Sequence, residues 1–176
     1  MRVVAGEARG RPIVAPDGNR TRPTSDRVRE SIFNMLFSLN ATDDSQILDL
    51  YAGCGALGIE ALSRGAAHCI FVEQDRRAVD CIRNNLETLG YDDRATVVQA
   101  DVLDWVEQNS NSFDVVLADP PYADDSWKSI LDQVDSRWLV AEAGEEVEQH
   151  PRWDVVREKT YGTTVVTVFA RQGSAQ

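Results

Sequence analysis

From residue 46 onward, apolar positions fall alternately into short β-prone runs and stretches with helical spacing. Gln46 to Leu50 predicts a strand, Gly55 to Arg64 a helix stopped by Gly65, and Ala67 to Glu73 the next strand. A helix over Arg76 to Leu89, ended by Gly90, leads to a strand over Ala95 to Gln99. A short helix near Val102 to Gln108 and a strand from Phe113 to Ala118 follow. This βαβ rhythm predicts an α/β domain with a parallel, doubly wound sheet. Next come a helix near Ser126 to Val134, a strand near Arg137 to Glu142, and two β-rich segments, Trp153 to Glu158 and Thr163 to Ala170. The last two are close enough through Lys159-Thr160-Tyr161-Gly162 to pair as an antiparallel hairpin.

The first forty residues read differently. Arg2 to Ala5 and Arg11 to Ala15 form a candidate hairpin, Pro16 to Pro23 a loop, and Thr24 an N-cap for a helix. In that helix Val28, Ile32, Met35, Leu36 and Leu39 share one face, which sets the arginines of the segment outward. No repeat, low-complexity tract or linker interrupts the chain. The expected organisation is one domain over 1–176, with a basic extension at 1–40 and a core at 41–176.

With 176 residues and 43% hydrophobic content, the chain is the right size for one core. No apolar run approaches the roughly 20 residues that span a bilayer, and Met1 to Glu7 lacks an apolar leader region, so a cytoplasmic location is expected. Cys54, Cys69 and Cys81 are odd in number and form no CxxC pair, pointing to reduced, mostly buried thiols and to neither a disulfide framework nor a zinc site.

A net charge of -11 argues at first against a nucleic-acid partner. Its distribution changes the picture. Residues 1–34 carry seven arginines against four acids, a local +3, which leaves -14 on the remaining 142 residues. Such asymmetry suits a protein with one face toward an anionic polymer, or simply a solvated surface.

Two motifs carry chemistry. The turn Gly53-Cys54-Gly55-Ala56-Leu57-Gly58 matches GxGxxG, and Glu73 stands twenty residues beyond Gly53 at the end of the next predicted strand. That spacing fits a dinucleotide fingerprint, so a nicotinamide-linked oxidoreductase is one reading. Against it, Asp49 precedes the turn, where a carboxylate suits the ammonium of a methionine moiety and would repel a pyrophosphate. The chain also offers no second domain for a hydride acceptor. Asp101, past the third strand, is placed to accept from an adenine amino group while also capping the helix that begins at Val102. Cys54 reads as a small spacer.

The second motif is Asp119-Pro120-Pro121-Tyr122. An aromatic amine is a poor nucleophile because its lone pair is delocalised into the ring. The Asp119 side chain and the Pro120 carbonyl can draw on its two N–H bonds and push the nitrogen toward tetrahedral geometry. Paired prolines stiffen the loop and remove competing donors, and Tyr122 offers a stacking face. Turn and loop together point to methyl transfer onto an exocyclic amine.

The loop, the turn, the stretch from Arg22-Pro23-Thr24-Ser25-Asp26-Arg27-Val28-Arg29-Glu30 to Asn34, and Leu57-Gly58-Ile59-Glu60-Ala61-Leu62-Ser63-Arg64-Gly65-Ala66 resemble the RsmD family of class I methyltransferases. The likeness runs from the Arg9-Gly10-Arg11 turn to Lys159-Thr160-Tyr161-Gly162, departing at Cys54, where a serine is expected. The resemblance implies a Rossmann-like, seven-stranded, mainly parallel sheet with an antiparallel C-terminal hairpin. It implies S-adenosylmethionine as donor, no metal, and the 2-amino group of a guanine in small-subunit ribosomal RNA as acceptor, within a ribonucleoprotein particle. The corresponding sites are Asp49, Tyr51, Gly53, Gly55, Glu73, Asp101 and Val102 for the cofactor; Asp119, Pro120 and Tyr122 for catalysis; and Arg9, Arg11, Arg22, Arg27 and Arg29 for RNA. A DNA adenine amino-methyltransferase would use the same loop but needs room for a target-recognition domain. A non-catalytic RNA-binding domain would not need the loop intact.

Overall fold

The computed structural model describes residues 1–16, 25–121 and 126–173. Seven strands make one sheet: β1 (Gln46–Leu50), β2 (His68–Glu73), β3 (Ala95–Gln99), β4 (Ser112–Ala118), β5 (Asp135–Ala143), β6 (Trp153–Tyr161) and β7 (Thr164–Arg171). Their order is β3-β2-β1-β4-β5-β7-β6. The pairs among β1 to β5 are parallel, while β7 runs antiparallel to both β5 and β6. The predicted mainly parallel sheet with an antiparallel final hairpin is therefore the fold. Five helices pack on it: α1 (Asp26–Ser38), α2 (Ala56–Ser63), α3 (Arg76–Leu89), α4 (Val102–Gln108) and α5 (Trp127–Gln133).

Two apolar layers hold the sheet. On one face α1, α2, α3 and the N-terminal segment bury Ile32, Phe33, Ile59, Leu62 and Ile82 against Ile47, Phe71, Leu117, Val140 and Val166. On the other, α4 and α5 bury Val106, Ile130 and Leu131 against Leu48, Leu50, Val116, Leu139 and Phe169. Strand alternation explains the division, because neighbouring residues point to opposite faces. It also assigns the polar residues at strand ends. Asp49 follows Ile47 by two, Asp119 follows Leu117, Glu142 follows Val140, and Thr164 precedes Val166, so all four belong to the face covered by α1, α2 and α3.

The described residues among the first forty are built into this layer. The candidate hairpin appears as a single antiparallel bridge, Arg2 to Pro12, with Val3 N donating to Arg11 O and Ile13 N to Met1 O. The buried carboxylate of Glu60 on α2 accepts from Val4 N and Ala5 N at 2.8 and 2.9 Å. The N-cap of α1 is Ser25, whose side chain accepts from Val28 N. The cap expected at Thr24 falls outside the described residues. Among the described residues, no helix is long and apolar enough to cross a membrane, and all three cysteines are free and buried.

Candidate active site

β1 lies between β2 and β4: the chain steps outward from β1 through β2 to β3, then crosses back to β4 on the other side of β1, and this reversal opens a crevice at the carboxyl ends of these strands. A cavity of about 1020 Å³ fills it. Asp49, Tyr51, Ala52, Gly53 and Cys54 line its floor, Glu73, Gln74 and Asp75 one side, and Asp119, Pro120, Pro121 and Glu142 the other. Thr160, Tyr161, Gly162 and Thr164 close it at the β6–β7 turn, while Met1, Pro16, Ser25, Arg27 and Val28 border it from the N-terminal segment. The two motifs singled out in the sequence thus meet at one cavity.

The turn after β1 owes its shape to residues that accept unusual backbone angles. Tyr51 has φ +58°, rare for a residue with a side chain and a local strain of the kind that gathers at functional sites. Gly55, at φ +80°, sits as the N-cap of α2. Gly58 answers a different need. A Cβ there would come within 2.3 Å of the Phe71 ring and 2.7 Å of Cys69 Sγ, so only glycine lets α2 lie this close to β2. Closeness also brings Gly58 N to Asp49, whose Oδ2 accepts from it at 2.8 Å.

Asp49 is 1% exposed. Burial, followed by the like charge of Glu73, pushes its carboxyl from 3.8 up to about 8, although the Gly58 hydrogen bond pulls the other way. A cation placed beside a carboxyl raised in this way would favour its ionised form. Glu73 organises the opposite wall: one oxygen accepts from Gly53 N at 2.9 Å, the other from Asp75 N at 2.8 Å. Burial raises the Cys54 thiol, which fits a spacer and not a nucleophile. Asp101 and Val102 stand at the end of β3 but do not line this cavity. Asp101 caps α4 by accepting from Leu103 N and Asp104 N, and Val102 packs into the core of the other face. Gly55 also stays behind the lining, packed beneath the turn. Among the described residues no cluster of three or more His, Cys, Asp or Glu could hold a metal ion.

The family model described as Conserved hypothetical protein 95 matches residues 1–170. Ribosomal RNA small subunit methyltransferase D of Escherichia coli is 34% identical over 186 residues, covering 100% of this chain and 92% of that one. The chain belongs to the RsmD family. Bacillus subtilis YlbH is 39% identical, covering 98% of this chain and 100% of its own length. The solved structure of E. coli yhhF has a TM-score of 0.85 at 33% identity, with 97% of each chain covered.

The arginines expected on one RNA-facing surface of this RsmD-family member do not share one. Arg29 is fully buried, and the expectation that its charge lies outside is overturned. Its guanidinium donates to Arg2 O and to Asp26 at 2.9 Å, and lies 3.5 Å from Glu60, which Arg64 also engages at 2.7 Å. The helical stripe set position 29 outward with the other arginines; it turns inward because an acid, Glu60, waits on another helix. Arg11 donates to Thr88 O and Leu89 O at the C-terminus of α3. These bonds tie the Arg11 guanidinium to the end of α3. Arg9 is exposed on the N-terminal turn, Arg27 is exposed at the cavity rim, and Arg22 and Tyr122 lie outside the described residues. Sequence reasoning missed Glu142. Its only signal was parity with Val140 on a strand whose neighbour leads into the DPPY loop.

Proposed function

We propose that this chain is a cytoplasmic ribosomal RNA methyltransferase that uses S-adenosylmethionine and methylates the exocyclic 2-amino group of a guanine in small-subunit RNA. The observation that carries the reading is the junction of Asp49 and Asp119-Pro120 in one cavity, a cation receptor beside a pair of amine acceptors. Relatives named ribosomal RNA small subunit methyltransferase D, from E. coli and from Haemophilus influenzae at 34% identity over 92% of this chain, support the substrate class. A structural neighbour from Salinibacter ruber, at 19% identity and TM-score 0.66, carries S-adenosylhomocysteine and shares the fold.

The residues present fit the donor. Asp49 would meet its ammonium group, Glu73 its ribose hydroxyls, and the backbone around Gly53 its close approach, while a dinucleotide would bring a pyrophosphate against the Asp49 carboxyl. When bound, S-adenosylmethionine supplies a methyl group on a sulfonium sulfur. The protein's task is to make the amine nucleophilic. Asp119 is half-buried and Pro120 buried, so hydrogen bonds made there compete with little water. With Asp119 and the Pro120 carbonyl each accepting one N–H, the nitrogen lone pair is turned out of conjugation, an effect that grows toward the transition state. The base must leave its stack to arrive, and Tyr122 is the residue proposed to stack on it. Arg27 at the rim would hold the backbone outside.

Incubation with labelled S-adenosylmethionine and small-subunit particles from a strain lacking the enzyme, followed by mass spectrometry of the nucleosides, tests the reading. N(2)-methylguanosine is expected. Methyladenosine, or no transfer to RNA, would overturn it.

A further inference from the structure

We propose that Glu142 reads the Watson–Crick edge of the target base and makes guanine, not adenine, the acceptor. The inference rests on the amine-methylating reading above. Ala118 on β4 is level with Ala141 on β5, so Asp119 and Glu142 follow at neighbouring positions on two adjacent strands, about 5 Å apart across the sheet. Both lie on the face of the sheet that carries Asp49, and both line the cavity. Glu142 is 5% exposed, a carboxylate set into a strand end between apolar neighbours on β5 and Val166 on β7.

The chemistry of the base edge fits this placement. Guanine presents three N–H bonds side by side, one on N1 and two on its 2-amino group. The acceptor end of the cavity presents three acceptors, the Asp119 carboxylate, the Pro120 carbonyl and the Glu142 carboxylate. If the amine is held by Asp119 and Pro120, the adjoining N1–H falls to Glu142. Adenine offers two N–H bonds on its amino group, but its N1 is a bare acceptor. Placed in the same pose it would set a lone pair against the Glu142 carboxylate. A site that loses a hydrogen bond and gains an acceptor–acceptor contact discriminates far better than one relying on shape.

The test uses 2-aminopurine, which keeps the 2-amino group and replaces N1–H with a lone pair. Once the methylated nucleotide has been located, small-subunit particles are reconstituted with guanine or 2-aminopurine at that position. Single-turnover kcat/KM is then measured for wild type, Glu142→Ala and Glu142→Gln. Wild type should prefer guanine by roughly 10- to 100-fold, the value of one charge-assisted hydrogen bond. Glu142→Ala should lose most of its rate on guanine and little on 2-aminopurine. Glu142→Gln, whose amide can donate to the bare N1, should bring the two substrates to within a few-fold or invert them. Unchanged affinity for S-adenosylhomocysteine marks each variant as folded, and if the alanine variant fails to fold the glutamine variant decides. A wild-type guanine preference kept in the variant, whatever its absolute rate, overturns the role of Glu142. Failure of wild type to methylate guanine at all removes the underlying reading instead.

Discussion

Burial and the like charge of Glu73 hold the Asp49 carboxyl protonated in the absence of a nearby cation. With its carboxyl at about 8, the group is mostly protonated at pH 7 and must ionise to receive an ammonium. Cofactor binding should therefore release close to one proton below pH 8, with affinity rising as pH climbs toward 8 and levelling above it. Calorimetry in two buffers of different ionisation enthalpy reads the proton, and Asp49→Asn should abolish both the release and the pH dependence. Stability has the opposite slope. The folded protein keeps a proton that the unfolded chain gives up above 3.8, so this group's contribution falls as pH rises from 3.8 to 8 and is flat beyond. Glu73→Ala removes the proposed charge-assisted partner for the ribose and the acceptor for Gly53 N, and should weaken S-adenosylmethionine binding by about 1.5–3 kcal/mol. Unchanged affinity in a folded variant would remove Glu73 from the site.

At the scale of elements, α2 is placed by what it lacks. Gly58→Ala puts a methyl into the Phe71 ring and Cys69, forcing the helix off β2 and the Asp49–Gly58 hydrogen bond open. A loss of about 1–3 kcal/mol in denaturant unfolding, with a weaker cofactor site, is expected. α1 offers a sharper contrast between two arginines two residues apart. Arg29→Ala leaves Glu60 buried with less compensation and should cost about 3–5 kcal/mol. Arg27→Ala should leave stability nearly unchanged, weaken RNA binding, and make the log–log salt slope shallower by about 1. A stable Arg29→Ala protein, or an Arg27→Ala protein with an unaltered slope, would contradict this division. The strands and helices of the core were legible because period-2 and period-3.6 patterns record burial directly. What remained hidden were partnerships between distant residues: Arg29 with Glu60, Arg11 with the end of α3, Glu142 beside Asp119. Local sequence carries no trace of such pairs, and a helical wheel cannot tell an arginine facing water from one facing a buried acid.

For the whole molecule, the sheet order matters more than any single motif, because reversal of direction at β1 brings the turn after β1 and the loop after β4 to one crevice. Their spacing in sequence was visible; their meeting required the register of β1 against β4, Leu50 level with Ala118. The net charge is -11 and Arg27 borders the cavity rim, the proposed RNA entrance, so under that proposal the acidic remainder of the surface would repel RNA elsewhere. The central claim is that this one cavity divides its labour, Asp49 and Glu73 holding the methyl donor and Asp119 activating the amine. The direct measurement is single-turnover methyl transfer to small-subunit particles by Asp119→Ala, with the cofactor affinity of the same preparation determined by calorimetry. The account predicts affinity within about two-fold of wild type and a rate lower by roughly 100-fold or more. A near-normal rate with cofactor bound would contradict it.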